Sequence, residues 1–548
     1  MERIGRLRRL GDARAAFVAF VALELASIPL LLTWGNRWWF WADDWEFLGT
    51  RTAWNLGDLF RSHYQHWVTL PVLAYRALWS LFGIRHYVPY QLLVIALHLV
   101  AALLLRAVMR RAGVRPWMAS LFAAVFVFFG AGAENILIAF QITFVGSLVF
   151  GLTQLLLLDH DGRGHDGRGL KSLDRRDWLG VGAGLLGLMC SGVGVTMALI
   201  VGLAAWMRRG RLVALFHTVP LAVAYGLWSL LSPTSNGPVT YTTHSVVDVV
   251  KFFVIGAGSV FGRLGQVPGI GVVLAIVLVV GFVLAVDRED LPSLRGEFAV
   301  PVALVIGAAV FLVVTAVARA GSTPVSFGTV HSGPQRARQS RYVYLLAAMV
   351  LPLLAVALDA LARKWRLLTV PAVALVLAGV PGNIHAMRVY TEQSQVQRKQ
   401  DRIEILESPR LPLAQKLSPS LVPGAEIARF SGLSLGWLLE SLPSGRIPKP
   451  PPLSPSEIST ETLRLALRDA KVPSDGACRT IAGPTRLQLR VFDRMTLAAG
   501  TARIVYYPSD GAPSRPLPFE PKQTLVATTG PLDIGIVPVL QPTQLCGP

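Results

Sequence analysis

Charge is scarce in this chain. Of its 548 residues only 16% are Asp, Glu, Lys or Arg, while 53% are hydrophobic. A soluble domain carries nearer a quarter charged residues, so an entirely soluble fold is excluded. Cysteine is scarcer still: three residues, with no C-x-x-C pair and no Cys/His cluster of zinc-site spacing. No glycine loop of the P-loop or dinucleotide type is present, and no G-x-S-x-G element. Their absence argues against a nucleotide-sugar or ATP enzyme working at the inner face of a membrane. No internal repeat is apparent.

What fills the chain instead is apolar runs of bilayer length. By the ~20-residue criterion there are about eleven, at 15–34, 87–108, 116–130, 142–158, 178–191, 193–207, 211–231, 268–286, 298–318, 342–362 and 366–382. The first follows a basic start and lacks an evident cleavage site, so it reads as a retained span rather than a signal peptide. Segment 66–84 reads as an apolar stretch along the interface.

Base exceeds acid, 52 residues against 33, for a net charge of +19. Its distribution points to membrane orientation rather than nucleic acid. Alternate loops hold Arg3, Arg6, Arg8, Arg9 and Arg14; Arg106, Arg110, Arg111 and Arg115; Arg163, Arg168, Lys171, Arg175 and Arg176; Arg208, Arg209 and Arg211; Arg288 and Arg295; and Arg363, Lys364 and Arg366. The loop around Glu134, on the other side, has no Lys or Arg. This asymmetry predicts an inner N-terminus and an odd number of spans, with the C-terminal part outside.

Hydrophobic patterning stops near Pro381. The expected organisation is an all-α polytopic membrane domain at 1–384 and a small, mainly β domain with some helix at 385–548. In the latter, 385–408 reads as an exposed polar helix and Lys449-Pro450-Pro451-Pro452 as a stiff linker. Ser459 reads as the cap of a helix to about Ala470. Strands are expected at Arg486–Phe492, Thr501–Tyr507, Gln523–Thr529 and Asp533–Leu540. Cys190 lies in an apolar span, where packing is its expected role. Cys478 and Cys546 can pair if their domain faces an oxidising compartment. Outer loop 232–267 carries the turn signal Asn236-Gly237-Pro238, followed by an amphipathic helix from Ser245 to about Phe261.

The chemistry-bearing residues gather in the outer loops. Asp43 and Asp44 stand in Trp38-Trp39-Phe40-Trp41-Ala42-Asp43-Asp44-Trp45-Glu46-Phe47, directly after the first span. Trp favours the membrane interface, and adjacent carboxyls beside a bilayer must bind, pair or react. They can take a proton from an acceptor hydroxyl or hold a divalent metal against a phosphate; the plainer role is to cap the helix that follows. Glu134 lies in an apolar turn and is expected either as a second acid or as the partner of an outer Arg. Arg319, Arg336, Arg338 and Arg341 share one outer loop, and Arg matches phosphate bidentately. Arg341 and Arg338 are therefore candidate phosphate ligands, with lipid headgroup contact the plainer reading. His66, with His63, could bind metal or phosphate or orient an acceptor, with interfacial packing the plainer role; His98 on an apolar helix reads as an interior hydrogen-bonded residue. The inner run Asp159 to Arg168 reads as a flexible charged loop.

These motifs in this order resemble the GT-C glycosyltransferases, integral membrane enzymes that use polyprenyl-phosphate sugars. The resemblance rests on Phe40-Trp41-Ala42-Asp43-Asp44-Trp45, then His63-Tyr64-Gln65-His66-Trp67-Val68-Thr69-Leu70-Pro71 and Tyr87-Val88-Pro89-Tyr90-Gln91-Leu92-Leu93. The turn Gly132-Ala133-Glu134-Asn135 and the re-entry Ser340-Arg341-Tyr342-Val343-Tyr344 follow. It covers most of the membrane domain in layout, and its motifs are short. It implies an inverting sugar transfer from a lipid-linked donor to an envelope glycan, lipid or protein acceptor at the outer face of the membrane; the compositional bias suggests a GC-rich bacterium, and the topology fits its cytoplasmic membrane. Asp43 or Asp44 would be the base or help hold a divalent cation, Mg or Mn, with Asp44 favoured for its nearness to the helix start. Glu134 would be a further acid of the site. Two other functions fit the hydrophobic layout: a lipid or glycan transporter, which calls for ionisable groups at mid-membrane, and a non-catalytic scaffold of envelope assembly.

Overall fold

The computed structural model describes residues 2–36, 38–158, 173–232, 245–287, 296–321, 333–423, 433–539 and 543–548. The charged run Asp159–Arg168, Lys171, the turn Asn236-Gly237-Pro238, Arg288 and Arg295 lie outside them. The chain divides into two compact units. The first comprises 1–38, 52–74 and 88–393, and the second 39–51, 75–87 and 394–548.

The first unit is helical. Across the described residues, seven helical stretches are long and apolar enough to cross a membrane, and nine if each of two bent helix pairs is one span. This is a multi-pass membrane protein. The difference from about eleven has a local cause: the helices Arg175–Leu188 and Val193–Arg209 have 14 and 17 residues, under the ~20 of a full crossing. The expected span at 116–130 bends by 44° between Pro116–Val127 and Gly130–Leu137. Val246–Gly265 begins where the sequence predicts an amphipathic helix: Ser245 accepts from the Asp248 N–H, and the Asp248 side chain accepts from the Ser245 N–H. After it the chain turns by 107° into the next apolar helix.

Ser340–Lys364 is the hub of this unit. Nearly all its residues are buried, the signature of a helix that is apolar all round. His98, buried on Val88–Arg111, joins it: Nε2 meets the Val127 carbonyl at 3.1 Å and Nδ1 meets the Tyr344 hydroxyl at 2.9 Å. Because a carbonyl only accepts, Nε2 carries the proton and Nδ1 accepts from Tyr344. His98 is an interior hydrogen-bonded residue, as expected. Within Gly11–Gly35, Glu24 is buried and interacts electrostatically with Arg106, whose Nε donates to Ser120 at 2.9 Å. These two ionisable groups lie inside spans, so such residues are not confined to the outer lip.

Among the described residues of the second unit, nine strands form two sheets. β1 (Leu467–Asp469), β7 (Thr524–Ala527), β4 (Arg494–Ala499), β9 (Thr543–Cys546) and β2 (Cys478–Ile481) make one, in that order. β3 (Thr485–Leu489), β8 (Leu532–Pro538), β5 (Ala502–Tyr506) and β6 (Leu517–Phe519) make the other. Leu497, Leu525 and Leu545 from the first sheet and Leu489, Ile504 and Ile534 from the second share one core, so the sheets pack face to face. β3, β5, β7 and β8 fall on the four expected strands. The missed strands are short or carry charged and exposed positions, which blurs the alternation the eye looks for. Cys478 and Cys546 face each other across β2 and β9 and form a disulfide. It closes a loop of 68 residues in sequence separation, a constraint worth about 2–5 kcal/mol.

Two local expectations are corrected. Ser454, not Ser459, caps the helix Pro455–Ala466: Ser454-Pro455-Ser456-Glu457 is a reciprocal capping box with Pro in the first turn. The polar stretch at 385–408 lies in the helix Val380–Glu407 but is not exposed throughout. Arg398, Asp401 and Glu404 are buried there, with Arg398 Nη1 3.0 Å from Asp401 Oδ2 and Glu404 Oε2 3.6 Å from Arg464. Ion pairing lets a polar sequence go inside.

Candidate functional site

Two constellations carry the expected residues, one in each unit. In the second unit, Ala42 takes a left-handed φ of 45° and turns the chain into the helix Asp43–Gly49. The turn folds the Asp44 side chain back on the residue before it: Oδ2 accepts the Trp41 N–H at 2.8 Å. Oδ1 accepts the hydroxyl of Tyr75. Phe40, Trp45 and Phe47 are fully buried around it, with Phe47 edge-on to Tyr75 at 5.5 Å. Arg398 lies over the Trp41 ring at 4.0 Å. Asp44 is thus sealed, at 0% exposure, whereas Asp43 is half-exposed. Glu46, buried two residues on, is ion-paired with buried Arg51.

Burial pushes the Asp44 pKa from 3.8 up to about 7, against the bonds from Tyr75 and Trp41 and the charge of Arg398, and aided by neighbouring Asp43. A carboxyl raised on folding stabilises the fold fully below its unfolded pKa and loses that contribution as pH rises through the folded value. The wild type is therefore expected to lose thermal stability relative to Asp44→Asn between pH 5 and pH 8. Melting curves of both proteins in detergent measure this, and a gap that stays constant across that range would show that Asp44 does not titrate there.

In the first unit, the turn of Glu134 is tied to the start of Ser340–Lys364. The Glu134 N–H donates to Ser340 Oγ at 3.2 Å. Gln141 Nε2 donates to Glu134 Oε1 at 3.0 Å, and Arg341 Nη1 stands 3.7 Å from the same oxygen. Arg341 also donates to Gln339 Oε1 at 3.0 Å and lies over the Tyr342 ring at 5.3 Å. Motifs 206 residues apart in sequence are thereby one structure.

Cations gather beside them. Burial lowers the pKa of Arg336, Tyr342 opposes this, and the like charges of Arg319 and Arg341 add to the lowering. The Arg336 Nε is a buried donor with no hydrogen-bond partner among the described residues. Half-buried His66 joins the group: burial, then His63, Arg319 and Arg341, push its pKa down to about 4. It is therefore neutral at pH 7. Its Nδ1 accepts the Gly192 N–H at 3.2 Å, which leaves the proton on Nε2 as a donor. Any Cβ at Gly192 would lie 2.6 Å from that Nδ1, so only glycine permits this approach.

The expected residues are thus only partly joined. Glu134, Arg341 and His66 belong to one cluster, whereas Asp43 and Asp44 belong to the other unit. Arg338 is exposed, and Arg336 is the guanidinium drawn inward. Gln141 and Gly192 carried no motif and were missed. A polar residue between two apolar runs was the available signal for Gln141; nothing in the sequence marked Gly192. Among the described residues no group of three His, Cys, Asp or Glu is arranged to hold a metal.

Fold and site together define a multi-pass membrane protein with an arginine cluster built onto its central helix. No family model matches the chain, and no curated protein matches it. Among solved structures it is similar to the crystal structure of ArnT from Cupriavidus metallidurans bound to undecaprenyl phosphate, with TM-score 0.46 and 14% identity, over 94% of this chain and 99% of that one.

Proposed function

We propose that the protein is a membrane glycosyltransferase that moves a sugar from a polyprenyl-phosphate donor to an envelope glycan, lipid or protein acceptor, with inversion, at the extracytoplasmic face. The observation that carries this reading is the grouping of Arg319, Arg336 and Arg341 with neutral His66, held from one side by Glu134. Like charges repel unless an anion joins them, and a phosphate leaving group gains charge as the glycosidic bond breaks. Guanidiniums match its oxygens in pairs, and His66 Nε2–H adds a neutral donor. Glu134 positions Arg341 through its carboxylate, and Gln141 holds Glu134 in turn.

The general base is assigned to Asp43. Asp44 is fully enclosed and both its oxygens already accept bonds, so it acts as a positioning residue that fixes the start of the helix Asp43–Gly49. A Mg or Mn ion, if used, would be held by Asp43. The N-terminus then lies inside and the C-terminal sandwich outside, where Cys478 and Cys546 oxidise.

Lipid-linked and envelope glycans of a deletion strain, rescued by wild type or by Asp43→Asn, test the assignment by mass spectrometry. Loss of one sugar that only the wild type restores is the expected result and names the transferred unit. An unaltered profile in the deletion strain would remove the transferase reading. The transporter alternative has one observation in its favour, the buried pair Glu24 and Arg106. It predicts accumulation of an unexported lipid-linked substrate inside, with transfer chemistry intact.

A further inference from the structure

A second place in the helical unit is shaped for a lipid. A crevice of about 830 Å³ opens between the helices Glu2–Gly35, Pro116–Val127 and Thr369–Leu377. That volume lies within the range of small-molecule pockets. Its walls are apolar, with Phe20, Leu121 and Val373 among them, and its charged groups are Asp12, Arg110 and Arg115. Asp12 and Gly35 lie at opposite ends of the membrane-length stretch Gly11–Gly35, 23 residues and so roughly 35 Å apart. Gly35 is bonded through Gln91 to Leu137, beside the Glu134 turn. The charged end of the crevice therefore lies far along the helix from the arginine cluster, and the two sites are separate.

We propose that this crevice binds an anionic phospholipid of the bilayer, one acyl chain inside and the phosphate on Arg110 and Arg115. Three observations support it. Arg115 is clamped by Asp359, which takes its Nε at 2.5 Å and its backbone N–H at 3.2 Å, leaving Nη2 a buried donor with no hydrogen-bond partner among the described residues. The same end of the unit bears Arg111, Arg363 and Lys364, a basic rim complementary to an anionic headgroup. The walls belong to helices apolar enough to cross a membrane, so an acyl chain there meets apolar side chains. Basic pockets between spans at the more positive face are a recurrent form of headgroup recognition. The inference does not depend on the transferase reading.

Native mass spectrometry of the full chain in detergent, loaded with phosphatidylglycerol or with phosphatidylcholine of the same acyl chains, tests it. The wild type is expected to retain phosphatidylglycerol about tenfold better, the effect of one charge-assisted hydrogen bond. Arg110→Gln should bring that ratio towards one, and Leu121→Trp, which fills the crevice, should lower retention of both lipids. Equal retention of the two lipids by the wild type overturns the proposal, as does undiminished binding to Leu121→Trp. Displacement of phosphatidylglycerol by added polyprenyl phosphate at equal concentration overturns the choice of phospholipid.

Discussion

Asp43→Asn is expected to lower the turnover of sugar transfer by roughly 10²–10⁴-fold while leaving the fold intact, the range typical for loss of a general base. Asp43 is half-exposed at the first turn of its helix, and an amide there keeps the shape while removing the basic oxygen. The donor affinity should change little, because the acceptor side of an inverting reaction lies opposite the leaving phosphate. Asp44→Asn is different in kind. It cannot accept both the Trp41 N–H and the Tyr75 hydroxyl without turning its own amide donors towards one of them. Its loss of activity should therefore come with a fall in melting temperature at pH 5, below the raised pKa, where the folded wild-type carboxyl is still protonated. Turnover measured on purified, folded protein separates the two. If Asp43→Asn transferred sugar at the wild-type rate, the base would have to be sought elsewhere.

The second large effect is expected at the arginine cluster. Arg341→Ala should raise the donor KM and reduce kcat/KM by about 10- to 100-fold, corresponding to about 1.5–3 kcal/mol for a hydrogen bond to a charged group. Arg336→Ala should act on the same parameters, since its buried Nε lacks a partner among the described residues. Arg338→Ala, exposed and outside the cluster, should stay within about twofold of wild type, as surface substitutions usually do. Glu134→Gln provides a further check. Arg341 and Glu134 should be non-additive in a double-mutant cycle, because one holds the other. Equal effects from Arg336→Ala and Arg338→Ala would mean that the loop acts as a diffuse basic surface rather than as a built phosphate site.

Much of this molecule was legible before folding was considered. Apolar runs gave the membrane helices because the bilayer demands length and composition, both of which are local properties. Four strands of the sandwich, the start of the helix at Ser245 and the pairing of Cys478 with Cys546 also followed from pattern and residue type. The Glu134 turn and Ser340-Arg341-Tyr342 could each be marked as unusual, since charge at a membrane lip calls for a partner. The identity of that partner could not be read. Arg341 finds Glu134 only because Ser340–Lys364 packs beside Gly130–Leu137, a contact between segments about two hundred residues apart.

Tertiary structure alone decided which of two neighbouring identical residues does what. Asp43 and Asp44 are the same in composition and context, yet a helix puts successive side chains about 100° apart, so one faces the aromatic core and Tyr75 while the other reaches the surface. The same holds for Arg336 and Arg338, two positions apart on a short helical turn, one drawn inward and one exposed. Sequence determined that acids and arginines would stand at the edge of a membrane protein. Burial, which depends on what the rest of the chain brings to each side, determined which of them are enclosed and which reach the surface.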